Sequence, residues 1–305
     1  MWTYLAGFRP AAYGTEKFMD YGFMEAMMRS TTLPARDLWY SEGHINYYYG
    51  GQYFAVFLTK LSHTKVELTY NLMRTFVAGL AFAMPFSLVY QMMSDRMKGQ
   101  QKSEKVIKGL PFAAGFTAGT AVSIAGNMHY VIYAQIIPLI EKLTGKEVSS
   151  YWFPDATRYI GYNPYREEDR TIHEFPCYSF VLGDLHAHVV NIMFVLLVIA
   201  FLYVWLRGVR KKTVPVETSM KDGKFWKEQL LMTHLLVISA LLGMFQWTNF
   251  WGFCNLLCSN SWNGAFCQYY PFPGKNKENH GCNFCTNGRN LSACLSCDPA
   301  IYLTV

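Results

Sequence analysis

Four apolar runs, roughly residues 70–93, 110–134, 189–206 and 229–250, limit what this chain can become. A helix needs about 20 mostly apolar residues to cross the hydrocarbon core of a bilayer, and each run comes close. One such run suits the buried helix of a soluble protein, but four in a chain of 305 residues do not. The composition agrees, with 51% hydrophobic and only 16% charged residues, where soluble domains carry about 25% charged. The expected fold is an all-α integral membrane protein with about four full spans. Within the second run, Gly115 and Gly119 have the small-xxx-small spacing that lets helix backbones approach closely.

The start, "MWTYLAGF", lacks the basic residues of a signal peptide, and its apolar stretch is too short for one. It reads as the last turns of a further, partial spanning helix, and the chain as a fragment of a longer protein.

Charge orients the bundle. Residues 94–109 hold five Lys/Arg against two acids, and residues 207–228 hold seven against three. Loops rich in Lys/Arg stay cytoplasmic, so the intervening loops, 14–65 and 135–188, are expected on the extracytoplasmic side. The second of these carries eight acids against five Lys/Arg. The net charge of +6 is then a matter of topology. It does not mark a nucleic-acid partner, because no basic face interleaved with aromatics accompanies it. The partner implied is the lipid bilayer. The stretch "NYYYGGQYFAVFLTKL", 46–61, is short for a span and is expected to lie along the membrane surface, where tyrosines are enriched.

The two outer loops hold the groups with chemistry. In "GTEKFMDYGFMEAMM", Glu16 and Asp20 are four residues apart and share a helix face. Met19, Phe23 and Met27 suggest that this helix rests on the membrane, its acids either solvated or functional. Tyr47, Tyr48 and Tyr49 suit an aromatic belt or a platform against a sugar ring. Arg158 can pair with Asp155 or clamp a phosphate with its planar fork. Asp184, His186 and His188 alternate, so on an extended segment they share a face and suit a divalent metal. On a helix they splay apart. His173 and Glu174 stand close by in sequence, and ionisable groups at a membrane edge tend to mark sites.

"GTEKFMD", "INYYYGGQY", "WFPDATRYI", "HEFPCYSFVLGDLHAHV" and "FQWTNFW" occur in order, and over residues 13–251 the chain resembles the YYY-domain membrane proteins. That family is grouped with the GT-C glycosyltransferases. The resemblance implies an integral protein of a bacterial or archaeal plasma membrane with a partial GT-C-like bundle. It also implies a polyprenyl-phosphate sugar donor and an extracytoplasmic site with Glu16 or Asp20 as catalytic base. Tyr47, Tyr48, Tyr49, Arg158, His173 and Glu174 are the substrate-binding candidates. Two rival functions remain open: a non-catalytic transporter or structural component, and a metal-dependent hydrolase built on Asp184, His186 and His188.

After Trp251 the character changes. Residues 252–305 hold seven of the eight cysteines. Cys282, Cys285, Cys294 and Cys297 have the pairing of a zinc knuckle, although disulfides are the commoner use outside the cell. A zinc or disulfide module, a foreign end produced by a change of reading frame near Gly252, and a flexible tail all fit this segment.

Overall fold

The computed structural model describes residues 11, 14, 16–98, 103–158, 171–211 and 233–250. The expectations for the N-terminal partial helix and for the cysteine-rich tail, Cys282, Cys285, Cys294 and Cys297 included, lie outside these residues.

Among the described residues the chain is helical, with one isolated antiparallel bridge between Arg36 and His44. Two short helices come first, α1 (Lys17–Arg29) and α2 (Gly50–Leu61), followed by two long ones, α3 (Val66–Met97) and α4 (Glu104–Ser123). A π-helical turn, Val131–Ile136, runs into α5 (Ile137–Leu143), and a 3₁₀ turn occupies Phe153–Thr157. Then come α6 (Pro176–Leu182), α7 (Ala187–Lys211) and α8 (Thr233–Thr248).

Two helices have the length and composition of spans: Val66–Met97 with 32 residues and Ala187–Gly208 with 22. At 1.5 Å per residue these are about 48 and 33 Å long, against about 30 Å of hydrocarbon. Large apolar side chains point outward along the bundle, among them Leu68, Leu72 and Phe76 on α3, Phe112 and Phe116 on α4, and Val204 on α7. Lipid is a solvent that tolerates such a surface, and helices satisfy their own backbone within it.

The expected spans at 70–93 and 189–206 fall within α3 and α7, and α8 covers the described part of 229–250. The run at 110–134 does not form one span. Its helix starts earlier, at Glu104, ends at Ser123, and is separated by a break at Ile124–Met128 from the helical turn that resumes at His129. Tertiary contacts account for the break. The Asn127 amide donates to the Ala156 carbonyl, and the Phe175 ring lies so close to Gly126 that any Cβ there would stand 2.6 Å from it.

α4 lies along α3, and α7 packs against both α3 and α8. The α3–α4 contact is close because a Cβ on Gly115 would come 2.7 Å from the Phe86 carbonyl oxygen, and one on Gly119 2.8 Å from that of Phe82. The core runs through Tyr70, Val77, Ala78 and Ala81 of α3, Val190, Met193 and Val198 of α7, and Phe245 of α8. At one end of the bundle Asp95 ties α3 to α7, accepting from Tyr203 Oη at 2.7 Å and pairing with Arg207 Nε at 2.9 Å.

α1 and α2 close the other end. Phe23, Met24, Ala26 and Met27 of α1 are buried within the protein, so its apolar stripe is covered by other helices as well as by any membrane. α2 begins at Gly50, later than the expected 46, and buries Gly50, Gly51, Gln52, Ala55 and Val56. A Cβ on Gly51 would meet Val190 of α7 at 2.9 Å, which is the approach that brings Gln52 inside.

Candidate functional site

The site forms where α6 turns into α7. Pro176 opens α6 at a position where its missing N–H costs nothing. Gly183 ends the helix in the left-handed region at φ +82°, with its N–H donating to the Ser179 carbonyl. A side chain at Gly183 would also collide with the Arg74 guanidinium from α3. His186 then caps α7, its carbonyl accepting from the N–H groups of Val189 and Val190. The turn thereby holds Asp184, His186 and His188 at the N-terminus of a long helix, where the backbone dipole favours negative charge.

Asp20 anchors this turn from 165 residues away. Its Oδ2 accepts from the Leu185 N–H at 3.1 Å, and its Oδ1 accepts from Gln52 Nε2 at 2.9 Å. Gln52 Nε2 also donates to the Leu185 carbonyl at 2.8 Å, so α1, α2 and the turn are joined in one closed network. Asp20 has no exposed surface. Burial pushes its pKa up to about 6, against the opposing influence of His186, Gln52 and the Leu185 N–H.

Glu16 sits one helical turn before Asp20 and is largely exposed, its Oε2 standing 2.9 Å from His186 Nε2. That nitrogen is 3.9 Å from Asp20 Oδ2 and makes no hydrogen bond of acceptable direction. On the other side of the ring, Nδ1 faces Glu174 Oε2 at 3.8 Å, and His188 Nε2 approaches the same oxygen at 3.1 Å. Burial alone would depress the His186 imidazole, but Glu174, Asp20 and Asp184 outweigh it and raise its pKa to about 9. The two imidazoles, His186 first, hold the Glu174 carboxyl well below the usual carboxylate range. The two expected loops thus meet: Glu16 and Asp20 from one, Glu174, His186 and His188 from the other.

Not every expected residue belongs to this cluster in the way its spacing suggested. The group whose ligand atoms come within 4.8 Å of one another is Glu174, His186 and His188, and Asp184 is not part of it. The helix begins at Ala187, which breaks the extended alternation that would have put Asp184 on the same face. Asp184 is instead buried within electrostatic reach of Tyr70, Arg74, Asp20 and His186.

Tyr47 and Tyr48 are exposed, tilted against each other with ring centroids 6.0 Å apart. Burial, then the charges of Asp20, Glu16 and Glu174, raises the pKa of Tyr47, which therefore borders the cluster. Tyr49 turns away and packs edge-on against Trp247 of α8 at 5.7 Å. Arg158 lies over the Trp152 ring at 4.5 Å, and the His173 N–H donates to the Thr157 carbonyl.

Gln52, Tyr70 and Arg74 also shape the site, although nothing in their local spacing marks them. Tyr70 donates to the Gly183 carbonyl at 3.3 Å, and Arg74, 7% exposed, donates to Asn71 Oδ1 at 2.6 Å. An arginine inside an apolar run was the one available signal, since such charges are rare there and accompany function.

No curated protein and no solved structure matches the chain. The sequence pattern of one family matches residues 1–260, and the chain belongs to that family, described as Uncharacterized membrane protein (DUF2298).

Proposed function

We propose that this membrane protein transfers a sugar from a polyprenyl-phosphate carrier, in the manner of GT-C enzymes, at the extracytoplasmic face of a bacterial or archaeal plasma membrane. The observation that carries the reading is the pairing of an exposed carboxylate, Glu16, with a buried imidazole, His186, at 2.9 Å where the two polar loops meet. The sidedness is supported by charge. Lys98, Lys105, Lys108 and Arg207 lie toward the end of the bundle opposite the cluster, where a cytoplasmic loop carries its Lys/Arg excess.

The chemistry needs a base and a cation. The Glu16 carboxylate takes the proton of the acceptor hydroxyl as that oxygen attacks the anomeric carbon. The bond from that carbon to the phosphate oxygen breaks, and its electron pair leaves with the lipid phosphate. His186, protonated at neutral pH with its pKa near 9, supplies positive charge beside the developing anion. Asp20 holds the turn in place, since both of its oxygens are occupied. The rings of Tyr47 and Tyr48 give the sugar an apolar face to rest on.

The test is release of polyprenyl phosphate from a panel of polyprenyl-phosphate hexoses and pentoses by the protein in lipid vesicles. Glu16→Gln should slow release by about 10²–10⁴, the usual contribution of a general base. Release from no member of the panel, or an unchanged rate in Glu16→Gln, overturns the proposal.

A further inference from the structure

We propose that Glu174, His186 and His188 form a binding site for a divalent transition metal, zinc foremost. The distances suit it. Glu174 Oε2 lies 3.8 Å from His186 Nδ1 and 3.1 Å from His188 Nε2, and all three ligand atoms fall within 4.8 Å of one another. A tetrahedral zinc ion with bonds near 2.0–2.1 Å separates its ligands by about 3.3 Å, so the widest gap has to close by up to about 1.5 Å, shared between two side chains. Two imidazoles and one carboxylate favour zinc and its first-row neighbours over magnesium or calcium, which prefer oxygen.

A second observation concerns the opposite nitrogen of the His186 ring. His186 is only 7% exposed, yet its Nε2 makes no hydrogen bond, although two carboxylates face it: Glu16 Oε2 at 2.9 Å and Asp20 Oδ2 at 3.9 Å. A metal on Nδ1 leaves the proton on Nε2, the nitrogen those carboxylates approach, and a small turn of the Glu16 side chain would let it accept. Ligating histidines are oriented in this way, by a carboxylate behind the ring. The backbone is already fixed too, because His186 caps α7 and His188 lies in its first turn. His188 is half exposed, which gives an ion a way in. Three protein ligands leave coordination positions open, the arrangement of catalytic zinc centres, whereas structural zinc is closed by four.

The site shares His186 with the sugar-transfer reading, where an ion on Nδ1 would take the place of the ring's own positive charge, and its test needs no turnover. The full chain, with Cys254, Cys258, Cys267, Cys282, Cys285, Cys294 and Cys297 all replaced by serine so that tail thiols take no metal, is purified in detergent and titrated with Zn²⁺ against a chelator. Co²⁺ is titrated in parallel and read by its visible spectrum. One ion per chain is expected. His188→Ala and Glu174→Gln should each weaken binding beyond the roughly 10–100-fold that an outer-shell change costs. His129→Ala, whose imidazole is hydrogen-bonded with Tyr151, should leave binding unchanged. Both ligand positions are partly exposed, so helical content should match the parent. Absence of stoichiometric metal, or binding that survives His188→Ala and Glu174→Gln, overturns the proposal.

Discussion

Replacing Gln52 by leucine tests whether the closed network holds the site together. Gln52 is fully buried, and its one amide nitrogen donates to both Asp20 Oδ1 and the Leu185 carbonyl. Leucine is close in volume and neutral, so neither cavity nor net charge enters the comparison. It leaves two buried acceptors short of a donor, one of them a carboxylate, at about 1–3 kcal/mol each. Against this, Gln52 Oε1 is itself buried without a hydrogen bond, so its removal returns about 1 kcal/mol. The net loss is about 1–5 kcal/mol. At roughly 2–4 °C per kcal/mol for a large domain, the unfolding midpoint in detergent should fall by about 2–20 °C. Phe57→Ala, at an outward-facing position of the same helix, is the control and should move the midpoint far less. Loss of the Gln52 donor also removes an influence that lowers the Asp20 pKa, so that carboxyl should titrate higher than about 6. A Gln52→Leu midpoint within about 1 °C of the parent would show that the network contributes nothing to stability, and the account of how Asp20 fixes the turn would be wrong.

Three other perturbations have defined outcomes. Gly119→Leu drives a side chain into the Phe82 carbonyl and should cost about 1–3 kcal/mol by overpacking, seen as a lower detergent unfolding midpoint. Gly183→Ala combines a φ of +82° with the Arg74 collision; at about 1–2 kcal/mol for the backbone alone, it should lower the midpoint and weaken Zn²⁺ binding together. Tyr203→Phe removes one donor to Asp95 while Arg207 and Lys98 remain, so thermal melts should show a loss of no more than about 1.5 kcal/mol.

How far the sequence can be read depends on how local the cause is. α7 and α3 are legible because their apolar runs need no partner to be recognised. The meeting of the two polar loops follows from counting spans and charges. The partners of Asp20 are another matter, since Leu185 is 165 residues away and no periodicity encodes that contact. One local clue did exist. Asp20 shares a helix face with Phe23, Met24 and Met27, all buried, whereas its pairing with Glu16 suggested a solvated edge. The apolar stripe determined its environment. The exchange of Asp184 for Glu174 in the ligand group has a similar origin: α7 begins at Ala187, ahead of His188, and this breaks the extended alternation of Asp184, His186 and His188. The break at Ile124–Met128 depends on contacts with Ala156 and Phe175, which a hydropathy window cannot see.

The spacing of Asp20, Gln52 and Leu185 along the chain also sets an order of assembly. Ribosomes add about 5–20 residues per second, so Leu185 follows Asp20 by roughly ten to thirty seconds. During that interval the carboxylate and the amide exist without the backbone N–H that completes their network. Water must satisfy them, and the first two helices therefore stay hydrated until the second half of the polypeptide arrives. The site cannot close before Leu185 is made, and truncation ahead of it leaves the Asp20 carboxylate without its backbone donor.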